Sequence, residues 1–228
     1  MSKLDLLIFD CDGVLVDSEY LAAQISSELI SDAGFPITPE EIAERYSGLI
    51  LIDILKDIEK QSDIPLSATI IDKSAALFHE RIKTDLVALD GIREAIAKID
   101  LPYCVCSNST SDNIEKMLKI VGLYDLFEDK IYSAREVAAK QPKPAPDVYL
   151  HAAKTLGARP SHTAVLEDSI HGVRGASAAG MRVIGFTGAR HAYPGLADVL
   201  TEAGAQTVIN RMDMLPPTLK AMEEWQDF

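Results

Sequence analysis

Two aspartates, Asp10 and Asp12, stand two positions apart where the apolar run 6–9 ends near the start of the chain. A short run of β-forming apolar residues closed by Gly13 predicts a buried strand with both acids at its carboxyl end. If strand geometry continues to Asp12, both carboxylates lie on the same face. Acids crowded at such an end repel each other and are costly to desolvate, and a bound Mg²⁺ would offset both costs. Two solvated acids in a turn are the alternative interpretation.

Two further predicted strands also end in polar residues. These residues are Ser107 and Asn108 after strand 103–106, and Glu167 and Asp168 after strand 163–166. In an open parallel sheet, ligands bind at the carboxyl ends of the strands, near a switch in strand order. We therefore expect the polar residues of all three strand ends to meet at one edge of the sheet.

The elements that must position these residues fall into two stretches. Between 18 and 84 only helical patterns occur, over about 18–33, from Thr38 onward, and over 51–60 and 67–82. Ser18 is the expected cap of the first helix, and Thr38 with Glu41 forms a capping box for the second. From about residue 85 helices and strands alternate, which predicts an α/β fold with a parallel sheet covered on both faces. The strands are expected at 103–106, 130–132, 163–166, 182–186 and 207–209, and the helices at 91–98, 111–121, 146–156, 170–179 and 213–225.

The composition excludes several classes of partner. The chain has 228 residues and a net charge of -13, from 22 basic and 35 acidic side chains. Such a surface disfavours nucleic acids and anionic membranes, so an anionic substrate needs a local positive site. No apolar stretch is long enough to span a membrane, and the first strand begins too early to leave room for a signal peptide. We therefore expect a cytoplasmic protein whose three cysteines are small core residues.

Four motifs in this order carry a resemblance to a known family. They are Asp10-Cys11-Asp12-Gly13-Val14, Ser107-Asn108, Lys143 within Lys-Pro-Ala-Pro-Asp, and Glu167-Asp168-Ser169. Together they resemble the haloacid dehalogenase superfamily, in its branch of small-molecule phosphatases and phosphomutases, over nearly the whole chain. The resemblance implies a Rossmann-like three-layer core of residues 1–14 and 85–228, with a small all-α cap domain, 15–84, inserted after the first strand.

The resemblance also implies catalytic roles. Asp10 is expected to be the nucleophile that forms an aspartyl-phosphate, and Asp12 the general acid and then the general base. The backbone carbonyl of Asp12 is expected to bind Mg²⁺. Lys143 is expected to neutralise the phosphate and balance Asp10. A solvated loop lysine is the alternative, and the flanking prolines favour Lys143 over the nearby Lys140.

The remaining site residues are implied in the same way. Ser107 and Asn108 are expected to bind phosphate, although 107–110 could instead cap the next helix. Asp168 is expected to ligate Mg²⁺ together with Asp10 and Asp12, and Glu167 to ligate it directly or through a water. Ser169 either orients these acids or caps the following helix. His171 is close enough in sequence to reach the site.

The expected specificity loop of the cap is 45–50. Gly48 suits a tight turn between helices. Arg45 either contacts a substrate hydroxyl or carboxylate or is an exposed helix charge.

The resemblance favours a Mg²⁺-dependent phosphatase that acts on a small phosphorylated metabolite, with sugar or sugar-acid phosphates as the expected substrates. A β-phosphoglucomutase-type phosphomutase is the alternative, but those enzymes carry a cap histidine where this chain has Ala22. A non-catalytic binding protein on the same fold is a more distant alternative. The chain is expected to be a monomer or dimer.

Overall fold

The computed structural model describes residues 3–46, 49, 51–62, 69–137 and 140–224. Six parallel strands form one sheet in the order β3-β2-β1-β4-β5-β6. Their bounds are β1 Leu6–Phe9, β2 Tyr103–Ser107, β3 Ile131–Ser133, β4 Thr163–Glu167, β5 Arg182–Phe186 and β6 Thr207–Ile209. The predicted α/β class and all five later strands are confirmed, because continuous apolar runs at the predicted spacing are buried on both faces of this sheet.

Strand β1 is the centre of the sheet. It pairs with β2 through Ile8 and Cys104 and with β4 through Ile8 and Val165. The chain first builds outward from β1 to β3 and then returns to the other side of β1 to start β4. This reversal makes the carboxyl ends of β1 and β4 the switch point of strand order, where doubly wound sheets bind their ligands.

Alternation along β1 divides the core into two layers. Leu7 and Phe9 belong to one buried cluster, whereas Leu6 and Ile8 belong to the cluster on the opposite face. Helices cover both faces, which gives three layers. The helices of the sheet region are α5 Ile92–Ile96, α6 Ser111–Ile120, α7 Tyr124–Phe127, α8 Asp147–Thr155, α9 Ile170–Ala178, α10 Leu196–Ala203 and α11 Leu215–Glu224.

Four helices precede this region: α1 Ser18–Asp32, α2 Pro39–Arg45, α3 Leu51–Gln61 and α4 Thr69–Asp85. They enclose a separate cluster of buried apolar residues drawn only from 23–70. Thr38 and Glu41 form the predicted capping box, at 3.1 Å and 2.8 Å. The N-cap position of α1 is Asp17 rather than Ser18, because Ser18 is already the first helical residue.

Two chain segments connect these four helices to the sheet region, and they lie side by side. Val16 bridges antiparallel to Ala88, and the backbone N–H of Leu89 donates to the carbonyl of Leu15 at 3.0 Å. The exit and return of the chain are therefore joined by backbone hydrogen bonds close to Asp12.

Three features differ from the sequence expectations. Helices α7 and α10 were not predicted; α7 has four residues, too few to show a helical period. The last predicted helix begins instead with a 3₁₀ turn, Met212–Met214, before α11.

The cysteines are free and buried, as expected. None of the described helices has the length and apolarity that crossing a membrane would require.

Candidate active site

Three buried carboxylates meet at the switch point. Asp10 follows β1, Glu167 ends β4 and Asp168 comes next, and one oxygen of each lies within 4.8 Å of the others. Adjacent parallel strands bring them together, as the sequence predicted. Three acids this close are mutually repulsive, so the group requires positive charge.

Lys143 supplies part of that charge. Its Nζ lies 2.5 Å from Asp10 Oδ1 and 2.6 Å from Glu167 Oε1, and its side chain is 3% exposed. Burial lowers the pKa of Lys143, but the charges of Asp10 and Glu167 outweigh burial and hold that pKa above its usual range. Lys140, in contrast, is exposed. Lys143 is therefore an internal counter-ion rather than a solvated loop lysine.

The charge balance of this group also indicates a metal site. Burial and then the Glu167 charge raise the pKa of Asp10, and Lys143 only partly opposes them. Burial likewise raises the pKa of Asp168. One ammonium among three carboxylates leaves an excess of negative charge, and clustered carboxylate oxygens are the donors that Mg²⁺ prefers. The donor set thus fits a divalent cation.

Asp12 has a different environment. Strand β1 ends at Phe9, so the side-chain alternation expected for Asp10 and Asp12 does not extend to Asp12. The chain turns instead at Gly13, whose φ is +79°. The carboxylate of Asp12 lies outside the group of three acids. Among the described residues, its hydrogen-bond donors are the hydroxyls of Ser18 at 2.7 Å, Ser109 at 3.0 Å and Ser107 at 3.2 Å. Both aspartates still line one cleft of about 540 Å³.

The end of β2 and the residues that follow it contact Asp12 and the loop that carries Lys143. Ser107 Oγ contacts Asp12, and helix α6 is capped by Thr110 rather than by Ser107. The side-chain oxygen of Asn108 accepts a hydrogen bond from the backbone N–H of Lys143 at 2.8 Å. Asn108 therefore holds the lysine loop, a role that its sequence context did not reveal.

Two glycines provide room for the acids. A Cβ on Gly13 would lie 1.9 Å from Asp168 Oδ2, and a Cβ on Gly172 would lie 1.9 Å from the carboxyl carbon of Glu167. Real Cβ atoms do not approach other atoms this closely, so a larger residue at either position would displace an acid. Sequence analysis did not assign Gly172 to the site.

Glu167 is held by hydroxyls as well as by Lys143. The Tyr149 hydroxyl donates to Glu167 Oε1 at 2.7 Å, and the Tyr149 ring lies 5.2 Å from Lys143 Nζ. Ser169 Oγ donates to Glu167 Oε2 at 3.1 Å and also caps α9, so both interpretations of Ser169 hold. Tyr149 was missed, because a tyrosine on an amphipathic helix looks the same in sequence whether or not its hydroxyl has a partner.

A histidine does contact the site, but it is His191 rather than His171. His191 Nε2 lies 3.0 Å from Asp168 Oδ2. Burial lowers the pKa of His191, but the hydrogen bond to Asp168 and the nearby negative charges together outweigh burial and raise that pKa. His171 lines the cleft with its side chain exposed. Nothing in the local sequence distinguishes His191 from the other histidines.

Glu19, on α1, also lines the cleft. Part of its side chain is exposed, yet burial and then the charges of Asp12 and Asp168 raise the pKa of Glu19 to about 7. This acid has no hydrogen bond or ion pair to another described residue. Nothing in the sequence around Glu19 indicates a place at the site.

Of the expected specificity loop, Leu49 lines the cleft, whereas Arg45 does not. Arg45 is exposed, donates to Gln61 Oε1 at 3.0 Å and stacks 5.3 Å from the Tyr46 ring. This placement agrees with an exposed helix charge. Gly48 lies outside the described residues.

The sheet is parallel and doubly wound, and carboxylates and one buried lysine lie at its switch point. This arrangement is that of an α/β enzyme whose carboxylates take part in the reaction. A family model described as haloacid dehalogenase-like hydrolase matches residues 7–186. The chain belongs to this family, as its four motifs indicated.

The individual relatives of the chain support this family assignment. The chain is 28% identical over 199 residues to the 6-phosphogluconate phosphatase of Escherichia coli (strain K12), covering 85% of this chain and 87% of that protein. It is 31% identical over 183 residues to hexitol phosphatase B of the same organism, covering 78% and 81%. Among solved structures it matches a conserved haloacid dehalogenase-like protein of unknown function from Agrobacterium tumefaciens str. C58. That match has a TM-score of 0.92 and 51% identity, covering 96% of this chain and 99% of the other.

Proposed function

We propose that this protein is a Mg²⁺-dependent phosphatase that hydrolyses a small phosphorylated metabolite, a sugar or sugar-acid phosphate, through an aspartyl-phosphate. The observation that carries the proposal is the buried group of Asp10, Glu167 and Asp168 with Lys143 between the first two. The names of the relatives, 6-phosphogluconate phosphatase and hexitol phosphatase, support the same substrate range.

Asp10 is the nucleophile. Lys143 holds one of its oxygens, which orients the carboxylate toward the cleft. The carboxylate attacks phosphorus, an oxygen–phosphorus bond forms, and the bond to the leaving alcohol breaks. In the second half-reaction water attacks the same phosphorus and returns Asp10 and inorganic phosphate.

Asp12 moves the protons. It gives a proton to the leaving alcohol oxygen and then takes one from the attacking water. Its three hydroxyl donors distinguish it from Asp10, which pairs with Lys143, and two carboxylates in unlike environments can take unlike roles. This division of roles needs no further general base.

Asp10, Asp168 and the backbone carbonyl of Asp12 would hold Mg²⁺. Glu167 would act through a water, since both of its oxygens already accept hydrogen bonds from protein donors. Bound Mg²⁺ would lower the pKa of Asp10 and neutralise charge on the transferring phosphoryl group. Ser107 and Asn108, with the amino terminus of the ten-residue helix α6, would bind the phosphate oxygens.

Residues 15–84 would form a cap over the cleft, with residues 1–14 and 85–228 as the core. The separate buried cluster of α1–α4 supports this division. In this role Arg45 and Gly48 belong to the specificity loop and Arg45 turns to the substrate when the cap closes. A cytoplasmic location and a monomeric or dimeric state remain predictions.

A phosphomutase is the second candidate. Ala22 lines the cavity next to Glu19, so α1 has no histidine at this point to exchange protons with a sugar hydroxyl. The histidine that does border this cavity, His191, is paired with Asp168. This observation favours hydrolysis over isomerisation.

The test is phosphate release from an aryl phosphate and a panel of sugar phosphates, with Mg²⁺ and with chelator. Asp10→Asn is expected to lower kcat by roughly 10⁴-fold or more, as when a covalent nucleophile is removed. The exposed Asp213→Asn serves as the control. Acid quenching should trap labelled phosphate on the wild type and not on Asp10→Asn. Wild-type turnover by Asp10→Asn would overturn the proposal.

A further inference from the structure

A second cavity adjoins the cleft at Asp12, the proposed general acid, which lines both. It has a volume of about 790 Å³ and lies between α4 and α6. Asp12 and Ser109 border it, whereas Asp10, Glu167 and Asp168 do not. Since the leaving oxygen of a phosphate ester must lie next to the residue that protonates it, this cavity is where the alcohol part of the substrate would extend.

The charge of this cavity differs from that of the chain. Asp12 is the one acid among the described residues that line it, on a chain with a net charge of -13. Its basic and imidazole side chains are Lys83, Lys116, Lys119 and His79. Its apolar lining includes Phe78, Ile82, Met117 and Ile120. The cavity therefore combines an apolar floor with a cationic rim.

Lys83 is the available cation. Lys116 and Lys119 pair with Asp112 and Glu115 one turn away on α6, in exposed pairs of low strength. Lys83 makes no hydrogen bond or ion pair to another described residue, and neither does His79, which lies one turn before it on α4. Both side chains are exposed, so an incoming anion would not have to displace an internal partner.

The opposite extension of the cleft has the reverse character. It is a cavity of about 220 Å³ bordered by Glu19 and His191. No lysine or arginine lines it within the part of the chain that the structure describes, and the sequence places none in the segments outside that part. The histidine of this cavity, His191, is already paired with Asp168, whereas Lys83 on the α4–α6 cavity has no partner among the described residues. An anionic group on the alcohol therefore finds an available cation in the α4–α6 cavity and not in this one.

We propose that the α4–α6 cavity binds the alcohol part of the substrate and that this part carries a second anionic group, a carboxylate or a further phosphate, which Lys83 binds with help from His79. The apolar floor would pack against the C–H face of the carbon chain. This inference rests on the proposed phosphatase function and narrows its substrate class to doubly anionic metabolites. Lys83 is a specificity residue in this scheme and takes no part in the chemistry.

The experiment compares substrates with the same number of carbons. Wild type, Lys83→Met and Lys83→Arg are assayed with glucose 6-phosphate, 6-phosphogluconate and glucose 1,6-bisphosphate, and with an aryl phosphate for basal activity. Lys73→Met is the matched control, because Lys73 is exposed on the same helix and does not line the cavity. The two doubly anionic substrates distinguish a carboxylate from a second phosphate.

Wild type is expected to have a higher kcat/KM for at least one doubly anionic substrate than for glucose 6-phosphate. Lys83→Met should lower that kcat/KM by about 10-fold through KM, the size of one lost charge-assisted contact. Its kcat, and all values for the aryl phosphate and glucose 6-phosphate, should stay near wild type, and Lys83→Arg should restore part of the preference.

A preference for glucose 6-phosphate, an unchanged preference in Lys83→Met, or an equal loss on every substrate would overturn the inference. These outcomes leave the phosphatase proposal intact as long as the aryl phosphate is hydrolysed. Absence of any phosphate release by wild type would overturn both.

Discussion

The two ends of the cleft are built differently. At the buried end, each acid of the group has a protein partner: Lys143 for Asp10, Lys143 and Tyr149 for Glu167, and His191 for Asp168. The open end comprises the cavities that adjoin the cleft, where Glu19 on one cavity and Lys83 on another make no hydrogen bond or ion pair to other described residues. A network in which every acid has a protein partner is held in place before the substrate arrives, whereas unpaired surface groups are available to the substrate. The comparison suggests that the buried end determines the reaction and the open end selects the substrate.

Apart from loss of the nucleophile itself in Asp10→Asn, the largest effect should come from removing the cation of the buried end. Lys143→Met leaves Asp10 and Glu167 buried without their counter-ion. We expect kcat to fall by about 10²–10³-fold, as when a preorganised charged partner of the transition state is lost. Unfolding free energy without metal should fall by about 3–5 kcal/mol, because a broken buried pair leaves uncompensated charge.

Steady-state kinetics below the unfolding transition and urea denaturation check these two values. Lys140→Met is the control, since Lys140 is exposed in the same loop and should leave both values near wild type. A Lys143→Met protein with full activity would mean that the buried end does not determine the reaction.

A smaller effect should follow when the buried end loses one hydrogen bond but keeps all of its charged groups. Tyr149→Phe keeps the ring beside Lys143 but removes the hydroxyl that donates to Glu167. Partners of metal-site acids typically contribute about 10-fold or more in metal affinity, so we expect Mg²⁺ binding to weaken by roughly that factor. Titration calorimetry of the metal-free protein measures it.

Tyr132→Phe is the matched control, because the Tyr132 ring packs on His151 and its hydroxyl has no hydrogen bond to a described residue. Equal Mg²⁺ affinity in Tyr149→Phe and wild type would show that Tyr149 only fills space.

The smallest effect should appear at the open end, as a pH dependence of stability. The pKa of Glu19 is raised from 4.5 to about 7 in the folded protein, by burial and then by Asp12 and Asp168. Between these two pH values the unfolded chain ionises Glu19 while the folded protein still binds its proton. Stability contributed by protonated Glu19 is therefore complete below 4.5 and is lost as pH rises to about 7.

Glu19→Gln should thus gain thermal stability over wild type as pH increases through this window, with no further gain above it. Melting temperatures in metal-free buffer test this, with the exposed Glu44→Gln as the control. A pH-independent difference between Glu19→Gln and wild type would contradict the assignment of Glu19 as an unpaired acid.

Much of the buried end could be anticipated because it depends on strand ends. Asp10, Glu167 and Asp168 follow apolar runs, and adjacent parallel strands must bring their carboxyl ends to one edge. Lys143 was identified through its motif and its prolines. In contrast, the serine donors of Asp12 depend on the turn at Gly13, which no alternation pattern predicts.

By itself, the sequence determined the α/β class, the order of the strands along the chain and the acids of the switch point, because apolar periodicity and strand-end chemistry are local properties. Only the tertiary structure decided that Tyr149 and His191 hold those acids and that Lys83 borders the cavity beside Asp12. These residues come from distant segments, and their contacts depend on how helices pack across the sheet. A side chain's partner is a matter of three-dimensional proximity, which residue type and spacing do not encode.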